Sequence, residues 1–117
     1  MLGTIIKSFQ YAWTGVITGI GKERNLKFHV AAGLAVVICG LLTGLSRTEW
    51  ILVVMLIGGM LALELMNTAI ERTVDLVTKE YHPLAKQAKD LAAGAVLIYA
   101  VASAIIGCIL FIPKWFS

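Results

Sequence analysis

The chain has 117 residues, 59% of them hydrophobic, a mean hydropathy of +0.87 and a formal net charge of +3. Soluble domains are roughly 45–50% apolar, so this composition excludes an ordinary water-soluble domain and places the chain in the membrane class. With no polar linker, low-complexity run or internal repeat, residues 1–117 read as one all-α integral-membrane domain.

Residues 1–24 set Ile5, Ile6, Phe9, Trp13, Val16, Ile17 and Ile20 at steps of roughly three and four among Lys7, Gln10, Thr14, Thr18 and Lys22. That is the pattern of an amphipathic helix lying along a membrane surface. Gly15, Gly19 and Gly21 weaken it and predict a break near Gly19–Gly21. Lys7 and Gln10 interrupt the first apolar residues and no small-residue cleavage site follows, so no secretory signal is expected.

The first span is predicted over about 26–45. Val30–Leu45 alone is short for a hydrocarbon core of about 30 Å, so the span begins near Leu26, with Lys27 reaching up to the headgroups. Gly40 and Gly44 form a GxxxG step that permits close helix contact, or a chance pair in a glycine-rich chain. "LSRTE" is a tight outer turn. The second span, about 50–70, starts at Trp50, an aromatic at interface level. It runs through Gly58–Gly59, and its helical pattern continues to about Thr78. "KEYHP" breaks the pattern, and Pro83 suits the first turn of a new helix. Leu84–Asp90 leads into the third span, about 91–112, which Pro113 ends and Trp115 anchors. Cys39 and Cys108 sit in apolar runs without metal or redox spacing and read as small buried hydrophobes.

Lys7, Lys22, Arg24 and Lys27 precede the first span, and Arg72, Lys79, Lys86 and Lys89 follow the second; only Arg47 and Lys114 fall elsewhere. Basic residues in short loops mark the cytoplasmic side. The N-terminus and the 71–90 region are therefore expected in the cytoplasm and the C-terminus outside, in a multi-pass cell-membrane protein with three crossings.

In "LELMNTAIERTVD" the polar residues Glu64, Asn67, Glu71 and Asp75 recur at three, four and four. At about 100° per residue all four fall within about 80° on one helix face. Counted from Trp50, Glu64 lies about 21 Å into a slab of about 30 Å. Glu71 comes about 10 Å further on, near the headgroups, with Asp75 beyond it in water. An acid at the depth of Glu64 costs at least about 2–3 kcal/mol and belongs against protein or a wet cavity. A carboxylate so placed suits a general base acting on an alcohol. Glu64 would then meet the head of a lipid, and the outer acids something polar from the cytosol. Alternatively the four residues form a structural polar seam between helices, a role usually taken by Ser, Thr or Asn rather than by three acids.

Glu23 is expected at the depth of Glu71. Two converging carboxylates would make a hard-oxygen site for Mg²⁺, which takes one or two protein carboxylates with phosphates and waters; the plainer reading of Glu23 is a solvated charge in "GKERN". Lys89 could hold a phosphate as a point charge or serve only topology, and His82 could cap a helix. There is no Walker A loop, GxGxxG, HExxH or cysteine cluster, so bound nucleotide would rest on metal and lysine. No feature suggests nucleic-acid binding.

"ELMNTAIERTVD" followed by "EYHPLAKQAKDLAAGAVL" resembles the prokaryotic integral-membrane diacylglycerol kinase family over nearly the whole chain, and "KERNLKFH" is similar to its undecaprenol kinase branch of Gram-positive bacteria. The resemblance implies homotrimers of three transmembrane helices plus a surface helix, with composite sites that transfer the γ-phosphate of MgATP to a lipid alcohol. Undecaprenol is the substrate implied first and diacylglycerol the alternative. It assigns Glu64 as catalytic base, Asn67 as a polar active-site residue, and Glu23 and Glu71 as Mg²⁺ ligands. Nucleotide contacts fall on Tyr11, Glu80, Tyr81, His82, Lys89 and Asp90, with Asp75 at the cytosolic end of the stripe and Trp13 and Trp50 near the lipid. Leu91, where methionine is common, and Thr4, where the diacylglycerol branch tends to carry arginine, depart from the pattern. The trimer also follows from size, since three helices do not easily surround a water-accessible site.

Two readings of other classes compete. A small proton-coupled multidrug transporter would also bury a Glu, but wants it near the midplane and without an acidic stripe leading outward. A non-catalytic assembly subunit would tolerate amides throughout the stripe.

Overall fold

The structure, a computed structural model, describes all residues, Met1–Ser117. Four helices follow one another: α1 (Leu2–Lys22), α2 (Arg24–Thr43), α3 (Arg47–Val77) and α4 (Pro83–Trp115). The last three are long and apolar enough to cross a membrane. At about 1.5 Å per residue α2 spans about 30 Å, while α3 and α4 reach nearly 50 Å. These two therefore overrun a hydrocarbon core at the end where residues 78–82 join them.

Local chemistry explains each boundary. α1 passes through Gly19 and Gly21 without a break and stops at Glu23, whose extended backbone (φ −104°) ends α1 and starts α2. The predicted break near Gly19–Gly21 is thus displaced. Gly19 is instead buried at a crossing, where a Cβ would lie 2.7 Å from Leu65 Cδ2 and 2.8 Å from Leu26 Cδ2. α2 ends at Gly44 in the left-handed region (φ 80°), as helix C-caps favour. The GxxxG pair is therefore split in role: Gly44 makes the turn, and Gly40 receives the Trp50 ring. Ser46 and Glu49 close a reciprocal capping box that starts α3 at Arg47. His82 Nδ1 accepts the Leu84 N–H at 3.1 Å and caps α4, with Pro83 at its first position. α4 continues through Pro113 to Trp115: the proline ring has no N–H for the Ile109 carbonyl, but the Phe116 N–H still bonds the Ile112 carbonyl at 3.1 Å beyond it.

Only 11 of 117 residues are buried, so the interior is a narrow seam along α3. Without a hydrophobic force between helices in lipid, such a seam relies on close packing and hydrogen bonds. α3 and α4 share the most extensive contact. Gly59 lies under the ring of Tyr99, whose hydroxyl donates to the Met55 carbonyl at 2.9 Å. Val53, Leu110 and Phe111 form a cluster with Trp50 and Cys39 against it. Cys108, by contrast, is exposed, so it is not the buried hydrophobe expected. At the same end Trp115 Nε1 donates to Thr43 Oγ1 at 2.9 Å and Lys114 pairs with Glu49 at 3.1 Å, tying the far ends of α2, α3 and α4 together.

Candidate active site

The acidic stripe on α3 turns inward at one end and outward at the other. Glu64 is 3% exposed, and Asn67 and Thr68 are buried beside it. Glu71 and Asp75, about two and three turns beyond Glu64, are half-buried. Asn67 Nδ2 donates to Glu71 Oε1 at 3.2 Å, so these two act as a unit. Asn67 Oδ1 is buried without a donor in the chain. Unpaired buried acceptors are uncommon and point to something the single chain does not supply.

Glu64 makes no hydrogen bond within the chain; its one ion-pair contact is with His29 on α2, with Nε2 3.7 Å from Oε2. Glu23 lies at the α3 level expected of it, but its carboxylate accepts from Arg72 Nη2 at 2.9 Å. No three acids, histidines or cysteines of one chain gather as a ligand cluster. Mg²⁺ needs only one or two carboxylates. Glu71 Oε2 has no hydrogen-bond or ion-pair partner in the chain, and the unpaired Asn67 Oδ1 adds a second hard oxygen nearby. The donor set at this level fits that ion.

At the α3–α4 junction, Glu80, Tyr81, His82, Lys89 and Asp90 line one depression of about 350 Å³, together with Lys86 and Thr78. Five residues expected at a nucleotide thus share one surface, of a size in the range of small-molecule sites. Two of its three lysines are held: Lys89 Nζ lies 2.6 Å from Asp75 Oδ1 and Lys86 Nζ 2.5 Å from Asp90 Oδ2, while Lys79 has no ion pair. Other expected residues stand apart. Tyr11 and Trp13 are exposed on α1 and make no hydrogen bond within the chain. Trp50 packs against Gly40 at the opposite end of α3, about 21 Å along the helix from Glu64. A chain near Trp50 would meet it far from the acid.

Sequence reasoning missed His29, Arg72 and Lys86. The signal for His29 was present, because an ionisable residue inside an apolar run is a functional candidate by default.

A buried acid inside a bundle of membrane-length helices, with a polar depression at the end of the same stripe, defines a membrane-embedded enzyme site. Residues 10–111 match the family model of prokaryotic diacylglycerol kinase. The chain is 56% identical over 113 residues to an undecaprenol kinase of Bacillus subtilis, covering 97% of this chain and 92% of that protein. It is 41% identical over 114 residues to a diacylglycerol kinase of Synechocystis sp., covering 97% and 65%, and 39% identical over 109 residues to a diacylglycerol kinase of Escherichia coli, covering 91% and 87%. The chain belongs to the prokaryotic diacylglycerol kinase family and is a lipid kinase of the membrane.

Proposed function

We propose that the chain transfers the γ-phosphate of MgATP to undecaprenol, giving undecaprenyl phosphate, with Glu64 as general base. The observation that carries this reading is the burial of Glu64 on the same α3 face that leads to the polar depression. The 56% identity to an undecaprenol kinase supports the substrate. Diacylglycerol, named in the other relatives, is the second reading.

In the reaction Glu64 takes the proton of the lipid hydroxyl. The alcohol oxygen bonds the γ-phosphorus as the bond to the bridging oxygen breaks, and ADP leaves with that electron pair. Such transfer asks mainly for positioning and charge neutralisation. Lys89 presents a positive charge to the phosphates from the α4 side. Glu71, oriented by Asn67, and Glu23, oriented by Arg72, would hold Mg²⁺. When bound, that ion neutralises charge on the β- and γ-phosphate oxygens. Tyr11, Glu80, Tyr81, His82 and Asp90 contact the nucleotide, and Trp13 meets the lipid.

The working unit is a homotrimer. The half-buried state of Glu71 and Asp75 supports it, since one chain walls the stripe on one side only. α1 lies along the cytoplasmic surface with its apolar side in lipid, supported by the exposure of Ile5, Ile6, Phe9 and Ile17. The N-terminus and residues 71–90 face the cytoplasm, supported by the excess of lysine and arginine there.

The test offers purified protein MgATP with undecaprenol and diacylglycerol side by side and compares kcat/KM. Faster turnover of undecaprenol supports the reading. Faster turnover of diacylglycerol replaces it with the second, and labelling of no lipid rejects both.

A further inference from the structure

We propose that His29 is the positioning residue of Glu64: its Nε2–H fixes one carboxylate oxygen so that the other faces the lipid hydroxyl. The inference rests on the reading of Glu64 as base and deepens it.

Three observations lead there. Glu64 is a buried residue with no hydrogen bond of its own, and an acid in an apolar setting gains from a donor. His29 Nε2 stands 3.7 Å from Oε2, slightly beyond hydrogen-bond length, and no other charged side chain comes as close. Catalytic hydrogen bonds are often long before substrate arrives and shorten in the reactive complex.

The third observation is where the imidazole stands. His29 also lines an apolar groove of about 440 Å³ between α2, α3 and α4, with Gly33, Val36, Ile57 and Met60 among its walls. Met60 is one turn from Glu64 on the same face of α3, and both are buried. The imidazole therefore sits at the boundary between a mostly apolar groove, which Ser103 also lines, and the one acid buried beyond it. The Phe28 ring meets it edge-on at 5.5 Å between centroids. An imidazole suits this boundary because its ring is largely apolar and it offers an N–H donor to the acid. With Oε2 engaged, Oε1 is the oxygen presented to an alcohol.

The experiment compares His29→Leu, which removes the donor, with His29→Gln, whose amide N–H reaches a similar position. Steady-state turnover is measured with MgATP and undecaprenol in mixed micelles. Leu is expected to lower kcat by about 10–100-fold, with the KM for ATP within about twofold, and Gln to restore most of the loss. His29→Leu at wild-type kcat overturns the proposal, and so does His29→Gln folded but as slow as His29→Leu. A second measurement does not depend on the His29 variants folding. In protein carrying ¹⁵N-histidine, Glu64→Gln is expected to shift the ring nitrogens of His29 and leave those of His82 in place. No shift at His29 overturns the proposal. Failure of the kinase reading looks different, because wild-type protein would then label no lipid at all.

Discussion

Lys89 Nζ lies 2.6 Å from Asp75 Oδ1, joining α4 to α3 beside the depression that Glu80, Tyr81 and His82 line. The lysine that would meet phosphate is thus aimed by the last acid of the stripe. Both side chains are close to half exposed, so the pair adds less than about 1 kcal/mol to stability. Asp75→Asn is expected to leave thermal stability nearly unchanged and raise the KM for ATP by about 5–10-fold, an effect near the 1.4 kcal/mol of a tenfold change. Kinetics at varied ATP, with a melting curve in detergent, check both parts.

Asn67 orients Glu71 while its own Oδ1 stays unpaired and buried. Asn67→Ala removes that unpaired acceptor along with the hydrogen bond, so stability is expected to hold or rise slightly. Turnover is expected to fall by about 10–100-fold, as when groups that orient a metal ligand are lost. A fall in stability equal to the fall in activity would mark Asn67 as a packing residue only.

Much of this site could be read from spacing alone. Glu64, Asn67, Glu71 and Asp75 share a face because three- and four-residue steps require it, and their spacing along the helix axis follows from the rise per residue. The pairing of Glu64 with His29 could not be read that way. Which side of α2 meets the stripe depends on how α2 crosses α3, and hydrophobic periodicity does not encode a crossing angle. For the same reason Gly19 and Gly21 read as breakers, although Gly19 is the point where α1 passes over Leu26 and Leu65. The bond from Trp115 to Thr43 joins residues 72 apart and has no local signature. The capping box at Ser46 and Glu49 starts α3 at Arg47, inside the stretch read from sequence as a turn before Trp50.

Gly58 and Gly59 look alike in sequence but differ in the structure. A Cβ at Gly59 would collide with the Tyr99 ring, whereas one at Gly58 meets nothing within 4 Å. Gly59→Ala is expected to destabilise by about 1–3 kcal/mol. Gly58→Ala is expected to be neutral or stabilising by up to about 1 kcal/mol, through helix propensity. Parallel thermal unfolding in one detergent separates them.

Trp115 hydrogen-bonds Thr43 at the end of the molecule far from Glu64. Trp115→Phe keeps the aromatic contact with Phe111 and loses the hydrogen bond, for about 0.5–1.5 kcal/mol. Its kcat and both KM values are expected to match wild type; a change in any of them would show that the two ends of the bundle are coupled.

The most direct test of the account is ATP-dependent phosphorylation of undecaprenol by Glu64→Gln. The amide keeps the size and polarity of the side chain and cannot accept the hydroxyl proton. The account predicts that kcat falls by about 10²–10⁴-fold, as for loss of a general base, while the protein assembles and melts as wild type. Turnover at the wild-type rate would contradict it.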